Sequence, residues 1–266
     1  MLAEQKLDRY SFSKLSTFNN CVLEFIYTYI LKEEQISNCY ASYGTFVHKL
    51  LQQYALGELE IYELLDRFVE WYDENVPEPF PTLRNGKYAG DAYYEDGVRY
   101  FTNFEGFGDY KVIAVEDKFE IQIEDFCFSG IIDLLLSDDE GNLIINDHKS
   151  KSEFKDEDEE RKYRRQLYLY AHYVKEKYGK FPSMLRFNMF RKQIEREYKF
   201  NIDDYNEALR WSIDTVKKIR QLYAAYSYFG CNQICGHREE CAMKQEVESN
   251  PYWKQIFKKL KTECNT

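Results

Sequence analysis

The chain predicts a mixed α and β fold, and three observations carry that prediction. Apolar residues recur at helical spacing over roughly the first hundred positions, the period shortens to strand-like runs from Tyr110, and a long amphipathic stretch closes the pattern after Asp203. Helices, then a sheet with one helix embedded in it, then a helix are the expected order, without internal repeats.

Ser11 and Ser13 offer N-caps for a first helix with Leu15, Phe18, Val22, Phe25, Ile26 and Tyr29 on its apolar stripe and Cys21 at the edge. A second helix, from about Tyr43 to Leu56, places Tyr43, Val47, Leu50, Leu51 and Tyr54 on one face with His48 beside it. A third runs from about Glu58 to Tyr72. Pro77-Glu78-Pro79-Phe80-Pro81 breaks the pattern and opens a loop to Gly90, after which Asp91 caps a short helix through Tyr100 and Phe101.

Lys111 to Glu116 and Phe119 to Ile123 read as consecutive strands. They lead into two short apolar runs, Gly130-Ile131-Ile132-Asp133-Leu134-Leu135-Leu136 and Leu143-Ile144-Ile145-Asn146-Asp147-His148-Lys149. The intervening Ser137 to Asn142 has turn chemistry, so the two runs form an antiparallel hairpin. Asp147 and Lys149 leave the same face of their strand and His148 the other. With Ser137 opposite Leu143, Asp133 lies across from Asp147, their β-carbons roughly 4.5 to 5.5 Å apart. Two carboxylates that close among Leu and Ile side chains are costly without positive charge between them. The competing readings are a divalent metal site and a solvated Asp147–Lys149 ion pair.

A helix from about Glu159 to Tyr178, stopped by Gly179, follows an acidic segment from Glu153 to Glu160. Leu185 to Phe190 and Glu195 to Phe200 read as two further strands, and a helix from Asp203 through Tyr228 ends the pattern. The formal net charge of −10 counts against a generic nucleic-acid binder. Basic residues nevertheless cluster at Arg161 to Arg165, at Arg191-Lys192 and from Lys254 to Lys261. Charge acts over only about 10 Å at ordinary salt, so a local basic surface can still hold a strand. No apolar run is long enough to cross a bilayer, and the first residues lack the apolar core of a signal peptide, so a cytosolic protein is expected.

The chain has seven cysteines. In a reducing compartment they point to metal binding or burial rather than disulfides. Cys231, Cys235 and Cys241 crowd one turn-rich stretch, which suits a soft metal centre needing a fourth ligand. Cys21 folding back completes an iron-sulfur site; His237 completes a zinc knuckle. Cys39, Cys127 and Cys264 are read as ordinary unpaired cysteines.

Six elements stand in order: Ser11-Phe12-Ser13-Lys14-Leu15 with Phe18 and Cys21, Gly44-Thr45-Phe46-Val47-His48, Gly130-Ile131-Ile132-Asp133, Asp147-His148-Lys149, Gln166-Leu167-Tyr168-Leu169-Tyr170, and the cysteine trio. Together they resemble the PD-(D/E)XK nuclease superfamily, in its RecB-like branch that includes AddB nuclease domains and the CRISPR-adaptation exonucleases with iron-sulfur clusters. The resemblance implies a restriction-endonuclease-like fold, with a central mixed sheet flanked by helices. A cysteine-ligated centre would staple an N-terminal helical lobe to the C-terminal segment. A single nuclease domain, residues 1–266, is expected to contain a helical lobe at 1–109, the catalytic sheet and helix at 110–200, and the last helix with the cysteine cluster at 201–266.

The resemblance further implies that Asp133 and Asp147 hold one or two Mg²⁺ or Mn²⁺ ions, with the His148 carbonyl and His48 completing the shell. Lys149 orients the attacking water, and Gln166 and Tyr170 support the site and face DNA, with Tyr163 one turn earlier. Glu116 stands as an auxiliary acid. A [4Fe-4S] cluster on Cys21, Cys231, Cys235 and Cys241, or zinc with His237, is expected. The spacing C-x3-C-x5-C departs from the family's usual C-x2-C-x5-C, which keeps both centres open. The implied function is a metal-dependent deoxyribonuclease, an exonuclease on single-stranded or frayed DNA in recombination, repair or replication of a bacterial or phage genome. Tyr27 or Tyr163 would stack on unpaired bases. It acts alone or is lent to a helicase or recombination partner. The alternative is a catalytically weak, cluster-bearing DNA-binding or helicase accessory subunit.

Overall fold

The computed structural model describes residues 8–33 and 38–229, with side chains through Leu222. The cysteine trio, His237 and Cys264 lie outside the described residues. Two compact units form. Among the described residues, one contains Asp8, Arg9 and residues 38–209; the other contains residues 10–33 and 210–229.

In the second unit, a short strand β1 (Arg9–Ser11) runs into α1 (Phe12–Asn20), whose first turn is capped by Ser11 Oγ accepting from the Lys14 N–H. The expected single helix through Tyr29 is broken at Cys21, where the backbone becomes extended. Cys21 Sγ then accepts from the Glu24 N–H and caps α2 (Val22–Phe25), which widens into a π-helical turn over Ile26–Leu31. Asn19 and Asn20, weak helix formers that hydrogen-bond locally, precede the break. Phe18 meets Phe25 edge to face, and Asn19 Nδ2 donates to Thr215 Oγ1 at 3.0 Å.

The larger unit begins with α3 (Cys39–Ala55), α4 (Glu63–Asn75) and α5 (Ala89–Thr102). Helix α3 starts four residues earlier than its periodicity predicts because Asn38 Oδ1 accepts from the N–H groups of Tyr40 and Ala41. The three helices share a core of rings. Phe46 stacks on Phe68 at 5.6 Å, Tyr43 is fully buried against Phe68, Tyr72 and Tyr93, and Cys39 is buried among them. Burial of that many aromatics fixes the axial rotation of α3, and with it the direction in which His48 projects.

The sheet is mixed. Strands β2 (Lys111–Ile123), β3 (Phe126–Ser137) and β4 (Leu143–Lys149) form an antiparallel meander; β5 (Met184–Met189) lies parallel to β4, and β6 (Ile194–Lys199) pairs antiparallel with β5 at the charged, exposed edge. The two strands expected before the hairpin are one continuous strand, β2. Within it Glu116 has φ +49, and a register shift lies just upstream between Val112 and Ala114. The parallel β4–β5 pair requires a crossover, which α6 (Glu157–Tyr178) supplies. Asp156 caps α6 through the Glu159 N–H, and Gly179 ends it at φ +75. Tyr173 stacks on Phe119 of β2 at 4.3 Å and its hydroxyl donates to Asp117, so the helix is anchored on the strand that carries Glu116. The last helix, α7 (Ile202–Phe229), is capped by Asn201 rather than by the aspartates that follow. No described helix is long and apolar enough to cross a membrane.

Candidate active site

The hairpin register follows the turn chemistry: Ser137 pairs with Leu143, and the ladder continues to Leu134 opposite Asn146. Asp133 therefore faces Asp147. On the other side of β3, Val115 pairs with Leu134 and Asp117 with Ile132, which brings Glu116 opposite Asp133. Three carboxylates thus stand in a row across three adjacent strands. A left-handed conformation at a non-glycine residue is strained, and at Glu116 it falls on the residue that completes this row.

Helix α3 delivers the fourth group. His48 Nδ1 lies 3.5 Å from Asp133 Oδ2, and His48, Glu116 and Asp133 each offer a ligand atom within 4.8 Å of the others. This tight trio contains Glu116 where the sequence pointed to Asp147. Asp147 is held on its own strand by Lys149, whose Nζ lies 2.6 Å from Asp147 Oδ2. That oxygen is buried and has no partner in hydrogen-bonding geometry among the described residues, so the ammonium neutralises it without saturating it.

Lys149 is itself steered from α6. Its Nζ donates to Gln166 Oε1 at 3.0 Å, and Gln166 Nε2 donates to the Tyr170 hydroxyl at 2.9 Å. Tyr170 is buried edge to face against Phe119. The i, i+4 pair read from the sequence is therefore a strut behind Lys149. Tyr163, half-buried on the same helix, has its ring centre 5.9 Å from Lys149 Nζ. Gly130 makes the approach of α6 possible: a β-carbon there would meet Phe119 at 2.6 Å and Tyr170 at 2.7 Å.

His148 turns away from the carboxylates. Its backbone N–H donates to Asp133 Oδ2 at 2.8 Å, while its ring Nδ1 lies 2.9 Å from Asn188 Nδ2 on the neighbouring strand β5. Asn188 also donates to the Tyr100 hydroxyl at 2.7 Å. This buried link from α5 through Asn188 to His148 was missed by sequence reasoning, since nothing local distinguishes Asn188 from any polar residue in a strand. Glu116 carried a weak signal, an acid in the strand before the hairpin.

The electrostatics follow from burial. Asp133 is held well above the usual carboxylate range, first by burial and then by the Asp147 charge. Burial likewise raises Glu116 and lowers the imidazoles of His48 and His148, keeping both rings neutral as ligands or acceptors. With all three carboxylates ionised, the site holds more negative charge than Lys149 offsets. Carboxylate oxygens plus one neutral imidazole suit a hard divalent cation, and the unsaturated Asp147 oxygen fits the same occupant.

A mixed sheet whose central hairpin carries paired aspartates and a lysine, faced by helices bearing a histidine and a Gln–Tyr pair, defines a class of phosphodiester-cleaving proteins. The chain belongs to the PD-(D/E)XK nuclease superfamily, whose family model matches residues 9–258. It is also similar to the crystal structure of a "putative exonuclease" from Eubacterium rectale, with 12% sequence identity, a TM-score of 0.55 and 88% of each chain covered, a likeness of fold. No curated protein matches the sequence. Membership makes the protein a nuclease dependent on divalent metal.

Proposed function

We propose that the protein is a deoxyribonuclease working with Mg²⁺ or Mn²⁺, an exonuclease on single-stranded or frayed DNA ends in recombination, repair or replication of a bacterial or phage genome. The observation that carries this reading is the row Glu116, Asp133, Asp147 joined by His48 from α3 and Lys149 from β4. His48, Asp133 and Glu116 would hold the cation, with Asp147 and the His148 carbonyl as further donors. When bound, such a cation makes water more acidic and neutralises charge building on the phosphate. Lys149, held by Gln166 and Asp147, presents its ammonium toward the same space, where it orients the attacking water and offsets phosphate charge. Tyr163 offers a ring for an unpaired base.

Cys21, exposed at the extended break between α1 and α2, is available for the cluster read from the sequence with Cys231, Cys235 and Cys241. The RecB-like placement rests on the ordered motifs, as does loan to a helicase or recombination partner. The accessory-subunit reading loses ground to the buried charges, because an idle site gains nothing from keeping them. The test is degradation of end-labelled single and double strands with Mg²⁺ or Mn²⁺. Activity should vanish in Asp133→Ala and Lys149→Ala; wild-type rates in either variant, or tight DNA binding without cleavage under any divalent metal, would overturn the assignment.

A further inference from the structure

Away from the carboxylate row, the end of α4, the Pro77–Phe80 segment and the start of α5 line an open groove with a cavity volume of about 760 Å³. We propose that it is a docking site for an arginine-bearing segment of a protein partner. Its walls carry the rings of Tyr72, Tyr88 and Tyr94, together with the carboxylates of Asp73, Asp91 and Glu95, and among the described residues no lysine or arginine lines it. Among the described residues, none of those three carboxylates has an ion-pair partner. The Tyr72 hydroxyl is buried there without a hydrogen-bond partner among the described residues. A polyanion is repelled by such a wall, so this face is not a path for DNA.

The chain shows what this chemistry holds. On the neighbouring face of α5, Arg191 lies 3.6 Å from the centre of the Tyr93 ring and 2.8 Å from Asp96. On α4, Arg67 lies 5.0 Å from the Trp71 ring and 2.9 Å from Glu70. Each guanidinium is held by one aromatic face and one carboxylate, a combination that a planar cation satisfies better than an ammonium. Tyr94, whose ring packs on Phe68 and Tyr72, borders the groove together with Asp91 and Glu95 of the same helix, so an aromatic ring and carboxylates again line one surface.

The size and rim favour a polypeptide over a small cation. The volume exceeds a single guanidinium, and Val69 and Tyr88, 47% and 42% exposed, border it with apolar surface that a polyamine has nothing to place against. Gly90 fits the Tyr88 ring so closely that a β-carbon would lie 2.3 Å from it, and the Tyr88 hydroxyl accepts from the Phe80 N–H at 3.0 Å, which ties this wall to the Pro77–Phe80 segment. The proposal is independent of the nuclease reading.

The experiment is fluorescence anisotropy of the full chain with a labelled hexapeptide of alternating arginine and leucine. A citrulline-for-arginine peptide and spermidine serve as comparators. Saturable, salt-sensitive binding is expected, weakened on the order of tenfold or more by Asp91→Asn with Glu95→Gln, and also by Tyr94→Leu, while DNA cleavage stays at the wild-type rate. No binding, equal binding of the citrulline peptide, displacement by spermidine at equal concentration, or full affinity in the variants would each overturn it. The substituted groups are exposed or half-buried; circular dichroism checks each fold, and Tyr94→Leu decides alone if the double variant unfolds.

Discussion

Lys149 Nζ lies 2.6 Å from Asp147 Oδ2 on the same strand, and that ion pair divides the site in two. On one side Lys149 is braced by Gln166 and Tyr170; on the other, His48, Glu116 and Asp133 gather. A surface ion pair of this kind would contribute little. Here Asp147 is buried and Lys149 is largely so, which makes the pair a positioned part of the site.

Glu116→Gln separates the trio from the pair. It keeps the shape of the row and removes one carboxylate, so cation affinity should fall by at least about tenfold with Lys149 undisturbed. Isothermal titration with Mn²⁺ checks it. Unchanged affinity would place Glu116 outside the cation shell.

Gln166→Leu removes the strut behind Lys149 without touching any carboxylate. The expected outcome is a cleavage rate lower by about 10- to 100-fold with cation affinity near wild type, read as kcat falling while Mn²⁺ binding is retained. Gln166→Glu should restore part of the rate, because its carboxylate can still accept from the ammonium. Loss of cation binding in Gln166→Leu would mean that the strut organises the carboxylates rather than the lysine.

Asp133 gives a pH dependence with a defined sign. Its folded-state pKa is raised by burial and by Asp147, so the folded protein keeps a proton that the unfolded chain has already released. The cost of ionising it is absent at pH below the ordinary aspartate value and grows as pH rises through the raised value. Metal-free Asp133→Asn should therefore melt higher than wild type at about pH 8, with the difference closing near pH 4. Mg²⁺ should raise the melting temperature of wild type alone. A lower melting temperature for the variant at pH 8 would show that the carboxylate is stabilised by the fold.

Gly130→Ala tests the close approach of α6. A β-carbon 2.6 Å from Phe119 and 2.7 Å from Tyr170 must push both rings, at a cost of about 1 to 3 kcal/mol in stability. Cleavage should fall further than folding, because Tyr170 carries Gln166 and hence Lys149. Denaturant melts and rates measured on the same protein separate the two effects.

By itself the sequence indicated the mixed α and β class and the hairpin register, and it singled out Asp133, Asp147 and Lys149 as charges placed together in apolar strands. Those were legible because a period of 2 fixes which face a strand residue joins and a turn fixes which residues pair, whereas His48, Gln166 and Tyr170 were pointed to by the family resemblance alone. Only the tertiary structure decided how those faces meet. Continuity through a left-handed residue turned two expected strands into β2 and brought Glu116 into the row. The parallel pairing of β5 with β4 set Asn188 beside His148, and the aromatic packing of α3 aimed His48 at Asp133. Each of these depends on contacts between segments far apart in the chain, whose geometry is selected by packing and ladder pairing as a whole, and leaves no period or spacing in the local sequence to be read.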